Sequence, residues 1–204
     1  MTKFINGIPR EYSSPGKQTR WENSQYSVEK LSAEVDYIES MINQHSTSPL
    51  GFCHNDILLE NVVFSQEKQR VSFIDFEYGD YNYIFFDVAN HFNEYAGIET
   101  VDYSLYPTKD YQKNWLKVYL TTVKKLCGPA ASELPSPDDD GALDRLTDEI
   151  NLFALSSNLF WGVWALVQAE NSTIDFDFLE YGFIRLAEYF RAKPLFLSPF
   201  LTAT

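Results

Sequence analysis

The stretch that decides the fold covers residues 51–97 and reads GFCHNDILLENVVFSQEKQRVSFIDFEYGDYNYIFFDVANHFNEYAG. Two β-rich runs, 61–64 and 71–76, are separated by the polar turn 65–69, a spacing typical of a β-hairpin. A hairpin brings the residues just before it and just after it to the same end of a small sheet. We therefore expect the polar side chains on either side of this hairpin to meet there.

Those polar side chains have the types and the order that phosphoryl transfer needs. Asp56 would accept the proton of an attacking hydroxyl group, while Asn61 and Asp75 would hold Mg²⁺ on nucleotide phosphates. Glu77 offers a further oxygen, which a hard ion such as Mg²⁺ accepts readily. The spacing is that of the protein-kinase catalytic loop, with Asn55 in place of the arginine and D-F-E in place of D-F-G. A turn with polar caps would explain the first motif alone, so the pair of motifs favours kinase-type chemistry.

Composition indicates a packed globular domain with no membrane-spanning segment. Hydrophobic residues make up 45% of the 204 positions, enough for one sizeable core and perhaps a small appendage. The chain contains no apolar run of the roughly 18 residues that a membrane span needs. Its N-terminus lacks the apolar centre of a signal peptide.

Charge indicates which classes of partner the protein can bind, and cysteine content indicates its redox compartment. A net charge of −13 repels nucleic acids and anionic membrane surfaces, so we expect neither as a partner. The charge suits a small cationic ligand, but charge alone is better explained by solubility. Two cysteines, Cys53 and Cys127, are too few for a disulfide framework or a cysteine zinc site. We expect both to be reduced, in a cytoplasmic protein.

Helical spacing dominates the rest of the chain. Apolar residues recur with helical period over 27–44, 110–126, 143–167 and 177–191. We expect residues 1–26 to form an irregular arm, 128–141 an exposed acidic linker, and the proline-containing segment 193–204 to be irregular. The predicted fold class is α+β: one small sheet followed by many helices.

Residues 79–83 read as a loop, and a helix is expected to follow it to about residue 95. Asp87 has two open roles there. It would cap the start of that helix, or it would brace the catalytic loop through backbone hydrogen bonds.

Several aromatic and acidic side chains lie where a core does not require them. Phe160, Trp161 and Trp164 are too close together for a helix to point all three the same way. Ammonium groups bind over aromatic faces, and a nearby carboxylate adds attraction. A cage for a small amino alcohol would then comprise Tyr78, Glu94, Trp161, Trp164 and Tyr181. An aromatic stripe on a helix is also typical of a core, so both interpretations stay open.

Four segments, HNDILLENVVF, FIDFEYGDYNY, FDVANHFNEYAG and NLFWGVWALVQ, resemble the choline/ethanolamine kinase family. The resemblance covers the chain from about Trp21 to the end, and 101–107 is closer to the ethanolamine kinase branch. It implies the mostly helical C-terminal lobe of a protein-kinase-like fold, over 27–204, with ATP as co-substrate. The implied reaction converts ATP and ethanolamine to phosphoethanolamine, the first step of phosphatidylethanolamine synthesis.

The resemblance also implies a role for each candidate residue. The base falls on Asp56, with loop support from His54, Asn55 and Asp87. The Mg²⁺ and nucleotide ligands fall on Asn61, Asp75 and Glu77. The amine pocket falls on Tyr78, Glu94, Trp161, Trp164 and Tyr181. A homodimer is a further expectation from the family.

The sequence departs from the family in one respect. Neither a glycine-rich phosphate loop nor a strand with a suitable lysine precedes Val28, so the nucleotide lobe is expected to be absent and turnover by this chain weak or nil. Alternatives are a choline kinase, or a non-catalytic short form that binds amine or a full-length partner. An aminoglycoside phosphotransferase shares the first motif, but the W-G-x-W segment disfavours it.

Overall fold

The structure, a computed structural model, describes residues 1–201 and is dominated by helices. The strands are β1 (Leu50–Cys53), β2 (Val62–Ser65), β3 (Arg70–Phe73) and β4 (Asp80–Tyr83). The helices are α1 (Thr2–Ile5), α2 (Pro15–Glu22), α3 (Val28–His45), α4 (Ile84–Glu94), α5 (Lys109–Cys127), α6 (Asp140–Asn171) and α7 (Phe178–Leu201). Short 3₁₀ turns occupy Leu59–Asn61, Tyr103–Leu105 and Gly128–Ala131. This helix-rich α+β architecture matches the predicted fold class.

The strands form two separate two-stranded antiparallel sheets. β2 pairs with β3, with Val62 opposite Phe73, which confirms the predicted hairpin. β1 pairs with β4, with Cys53 opposite Asp80. The expectation of a single sheet with a loop over 79–83 is therefore wrong. β4 forms because of a partner strand far away in the sequence, and local residue preferences do not report such a partner.

The core is built around α6, which packs against α3, α4, α5 and α7. Where α6 crosses α7, Gly162 and Gly182 let the two backbones come close together. A Cβ atom at Gly162 would lie 2.8 Å from Cγ of Leu186. Within residues 1–201, α6 is the one helix long and apolar enough to cross a membrane. However, 78% of its most apolar 18-residue segment is buried inside the protein. That burial is typical of a core helix.

The N-terminal segment 1–26 is not the irregular arm that was expected. It contains α1 and α2, and Ile5 and Ile8 are buried in the core. Tyr12 is also buried, and its hydroxyl group donates to the main-chain oxygen of Leu166 over 3.0 Å. Pro15 reads as a breaker in sequence, but it occupies the first turn of α2, where proline is well tolerated.

The C-terminal segment is also more regular than expected. α7 continues through Pro194 and Pro199 to Leu201, so the expectation of irregular structure from 193 is wrong over the described residues; 202–204 lie outside them. Ala192 and Leu197 are buried, and this packing outweighs the hydrogen bonds that proline removes from a helix. Most of 128–141 is exposed, as expected, although Ala131 and Leu134 are buried against the core.

Candidate active site

The H-N-D loop follows β1 directly and is held by α4. The backbone N–H of His54 donates to Asp87 Oδ2 over 2.7 Å, and that of Asn55 donates to Asp87 Oδ1 over 2.6 Å. Burial raises the pKa of Asp87, and these two backbone hydrogen bonds counteract it. The N-cap of α4 is Tyr83, so the capping role for Asp87 is wrong and the bracing role describes its contacts.

Asn55 connects the loop to the segment after the second motif. It has a positive φ of 66°, a conformation that asparagine tolerates better than most residues. Its Nδ2 donates to the main-chain oxygen of Tyr78 over 2.8 Å, and its Oδ1 accepts from Asn82 Nδ2 over 2.9 Å. The asparagine in place of the kinase arginine therefore links the loop to Tyr78 and to β4.

The second motif is anchored by His54. Its Nε2 lies 2.8 Å from the main-chain oxygen of Ile74; a carbonyl oxygen only accepts, so Nε2 carries the proton. His54 Nδ1 is buried and has no hydrogen-bond partner among residues 1–201. The next residue, Asp75, is exposed and has a positive φ of 61°. The His54 contact thus fixes the backbone that presents the Asp75 side chain.

Asp56 and Asn61 are in direct contact. Asn61 Nδ2 donates to the main-chain oxygen of Asp56 over 3.0 Å and to its Oδ2 over 3.2 Å. Burial raises the pKa of Asp56 to about 6, and the negative charge of Glu94 adds to the rise. A carboxylate with a pKa near neutrality suits a general base. Asp75 contributes to the same rise, so both motifs act on one region.

The metal ligands predicted from sequence are one amide, Asn61, and two carboxylates, Asp75 and Glu77. Among residues 1–201, no three His, Cys, Asp or Glu side chains come close enough together to hold a metal ion. The donor set of Asn61, Asp75 and Glu77 consists of oxygens, and Asp75 and Glu77 are exposed. Such a set fits Mg²⁺ when nucleotide phosphates supply the remaining ligands, since this ion is often held by one or two carboxylates plus phosphate oxygens.

All five residues predicted for the amine pocket line one cleft with Asp56. The cleft has a volume of about 420 Å³. Its carboxylates are Asp56, Glu77, Glu94, Glu99 and Asp175, and no Lys, Arg or His of the described chain lines it. Its aromatic residues are Tyr78, Trp161, Trp164, Phe176, Phe178 and Tyr181. An acidic cleft with aromatic walls suits a small organic cation.

The aromatic rings of this cleft meet edge to face. The centroids of Tyr78 and Trp161 are 5.2 Å apart at 75°, and those of Trp161 and Trp164 are 5.2 Å apart at 77°. Trp164 Nε1 donates to Tyr78 Oη over 3.0 Å, and Trp161 Nε1 donates to Asn90 Oδ1 over 2.8 Å. Trp161 is both buried and part of the cleft wall. This residue therefore belongs to the core and also lines the predicted amine pocket.

Three supporting side chains lie along one face of α4. Asp87 braces the loop, Asn90 holds the Trp161 indole, and Glu94 lines the cleft. Their spacing of three and four residues places them on the same side of a helix.

Sequence reasoning missed Leu58 and two segments of the cleft wall, and one residue behind the wall. Residues 98–99 and 174–176 contribute to the wall from irregular stretches, and Phe178 does so from the first position of α7. Irregular stretches have no periodicity to reveal where they lie. The aromatic and acidic alternation of 174–178, so near Tyr181, was the available signal. A further omission is Arg185, a buried arginine in α7, which pairs with Glu94.

The fold and these two motifs are those of the helical lobe of a protein-kinase-like fold. An ethanolamine kinase of Plasmodium vivax superposes with a TM-score of 0.75 at 30% identity, over 94% of this chain and 47% of that one. A choline kinase of Cryptosporidium parvum, at 22% identity, shares the fold with a TM-score of 0.69 over 98% of this chain and 57% of the other.

Residues 1–190 match the family model described as choline/ethanolamine kinase, and the chain belongs to that family. The match starts at residue 1, further upstream than the resemblance from Trp21 predicted. Mouse ethanolamine kinase 1 is 39% identical over 95% of this chain and 52% of its own length. Mouse ethanolamine kinase 2 is 47% identical over 82% of this chain and 40% of its own length. The chain thus spans about half the length of the curated relatives it matches.

Proposed function

We propose that this chain is the catalytic and amine-binding lobe of an ethanolamine kinase. The observation that carries the proposal is that Asp56 shares one cleft with aromatic rings and carboxylates suited to an ammonium group. In the proposed reaction, Asp56 takes the proton of the ethanolamine hydroxyl group. The hydroxyl oxygen bonds to the terminal phosphorus of ATP, and ADP leaves.

The residues of the two motifs would hold the nucleotide end of the site. Asn61 and Asp75, with Glu77 beside them, would hold Mg²⁺, and the bound ion would neutralise phosphate charge. His54 keeps the backbone before Asp75 in place. Because phosphoryl transfer depends mainly on positioning and charge, these contacts are what this lobe can contribute.

At the other end of the cleft, the ammonium group would contact the rings of Tyr78, Trp161, Trp164 and Tyr181. Each such contact contributes on the order of 0.5–2 kcal/mol. Glu94 adds charge attraction, which is stronger where water is excluded. Choline would meet the same rings, so a choline kinase is the second candidate. The ethanolamine kinases among the relatives support the first.

A dependence on a second polypeptide segment forms part of the proposal. Of eighteen exposed large hydrophobic residues in the described chain, ten lie between residues 50 and 81, around the two sheets. Together with the half-length match to the relatives, this exposed surface favours a lobe that needs a nucleotide-binding lobe, from its own or another chain, for rapid turnover.

Calorimetry and a coupled assay on the 204-residue chain test the proposal together. We expect ethanolamine to bind, choline to bind more weakly, and ATP turnover to be slow. Adding the N-terminal half of mouse ethanolamine kinase 1 as a separate polypeptide is expected to raise ethanolamine-dependent turnover at least about tenfold. Failure of both amines to bind would refute the proposed pocket. Fast turnover by this chain alone would refute the need for a second lobe.

A further inference from the structure

One buried guanidinium group stands directly behind the proposed amine cleft. Arg185 lies in α7 with 1% of its side chain exposed. Its Nη1 donates to Glu94 Oε1 over 2.8 Å and to Tyr181 Oη over 3.1 Å. Its Nη2 donates to Ser157 Oγ over 3.3 Å. Arg185 does not line the cleft itself, so it acts on the cleft only through the side chains that it holds.

The hydrogen-bond chain continues to a third wall of the cleft. Ser157 Oγ donates to Asn90 Oδ1 over 2.8 Å, and the same oxygen accepts from Trp161 Nε1 over 2.8 Å. One cation thus ties together a carboxylate, a phenol and an indole from three different helices. Each of these three groups faces the cleft.

The contact with Arg185 also matters for Glu94. The guanidinium fixes the orientation of the Glu94 carboxylate, whose side chain is only 6% exposed. The contact occupies Glu94 Oε1 and leaves Oε2 for a ligand. A primary ammonium group can donate a hydrogen bond to that oxygen, but a quaternary ammonium group has no N–H to donate.

Resting on the proposed function, we propose that Arg185 is a positioning residue that makes the cleft prefer a primary ammonium ligand. It holds Glu94 at a fixed angle, so that the free carboxylate oxygen meets an N–H of the ligand. Lysine would keep the charge but lose the planar fork that reaches Glu94, Tyr181 and Ser157 together. The preference for ethanolamine over choline should therefore depend on arginine at this position.

Calorimetric titration of the full chain with ethanolamine and with choline tests this inference. For Arg185→Lys we expect ethanolamine affinity to fall about tenfold and choline affinity to change less than about threefold. The matched control is Arg191→Lys on the same helix, where the guanidinium is 63% exposed and pairs with Glu188. The control should leave both affinities unchanged.

If circular dichroism shows that Arg185→Lys is unfolded, a second variant tests the same inference. Ser157→Ala removes the contact of Nη2 and the hydrogen bond from Ser157 to Asn90, while Asn90 still accepts from Trp161. Ethanolamine affinity should fall about threefold while choline affinity stays the same. Equal losses for both amines, or no loss in the folded variant, would overturn the role of Arg185 while the amine pocket stands. If the unchanged chain binds neither amine, the proposed function fails, and this inference fails with it.

Discussion

At the residue scale, the site depends on a few carboxylates whose surroundings are set by distant parts of the chain. The pattern H-N-D with its later asparagine and D-F-E was sufficient to select Asp56 and Asn61, which are in contact. The two roles of Asp87 were indistinguishable in sequence, because a helix cap and a loop brace need the same carboxylate. Only the meeting of β1 with α4 in three dimensions decides between them.

The raised pKa of Asp56 predicts a measurable effect on stability. Its value is about 6, against an ordinary 3.8, so the charged form is disfavoured in the folded chain. Stability is therefore lost as the pH rises through about 6. Asp56→Asn removes the charge and keeps the shape, and it should raise the free energy of unfolding at pH 7.5 by about 1–3 kcal/mol. The gain should shrink as the pH is lowered to about 5.

Urea unfolding of the magnesium-free chain between about pH 5 and 8 measures this effect. Asp138→Asn on the exposed linker is the control, and it should change stability by less than about 0.5 kcal/mol. A gain for Asp56→Asn that is the same at every pH would contradict the assignment of the effect to ionisation.

The bracing role of Asp87 predicts that removing its carboxylate lowers the free energy of unfolding. Asp87→Ala leaves the backbone N–H groups of His54 and Asn55 without an acceptor, and we expect it to destabilise the chain by about 2–4 kcal/mol. Asp102→Ala serves as the control, because Asp102 accepts one backbone hydrogen bond in an exposed 3₁₀ turn. Equal unfolding midpoints for the two variants in urea would argue against a brace.

At the element scale, helices and strands that follow from local sequence periodicity were predictable. Elements that depend on packing against distant parts of the chain were not. The hairpin and the core helices follow from alternation and from helical period. β4 forms against β1, and α7 runs through two prolines, because packing elsewhere in the molecule outweighs local preference. The long helix α6 was expected, but the point at which α7 crosses it was not.

The crossing of α6 and α7 predicts an unusual response to alanine. Ala is normally better than Gly inside a helix by about 1 kcal/mol. At Gly162, however, a new Cβ would lie 2.8 Å from Leu186 Cγ, so Gly162→Ala should destabilise the chain by about 1–3 kcal/mol. Gly141→Ala near the exposed start of α6 has ordinary contact distances of 3.4 Å or more and should be neutral or stabilising. Thermal melts of both variants check this contrast; a stabilised Gly162→Ala would show that the helices separate without cost.

At the scale of the whole molecule, the sequence predicted the lobe but placed its N-terminal border too far along the chain. Short helices such as α1 and α2 have no clear periodicity, and the burial of Ile5, Ile8 and Tyr12 depends on packing against helices that are distant in the sequence. The exposed surface around the two sheets was also invisible in sequence, since β-rich runs there resemble buried strands.

That exposed surface predicts dye binding and self-association. Leu59 and Phe64 are 77% and 57% exposed, and apolar patches of this kind attract hydrophobic ligands. Leu59→Ser combined with Phe64→Ser should lower the fluorescence of bound anilinonaphthalene sulfonate and the apparent mass in sedimentation. Leu126→Ser, at a site 78% exposed on α5, is the control and should change neither. The same decrease for all variants would mean that no defined patch exists.

The single face of α4 that carries Asp87, Asn90 and Glu94 has a consequence for how this protein can vary. Inserting one residue between Asp87 and Glu94 would turn the following side chains by about 100° and detach the carboxylate from the arginine while the loop stayed attached. The number of residues between Asp87 and Glu94 therefore cannot change without separating these contacts. The stretch 135–139 before α6 contains no buried residue and has no such restriction, because longer surface loops cost little, so natural insertions and deletions should accumulate there.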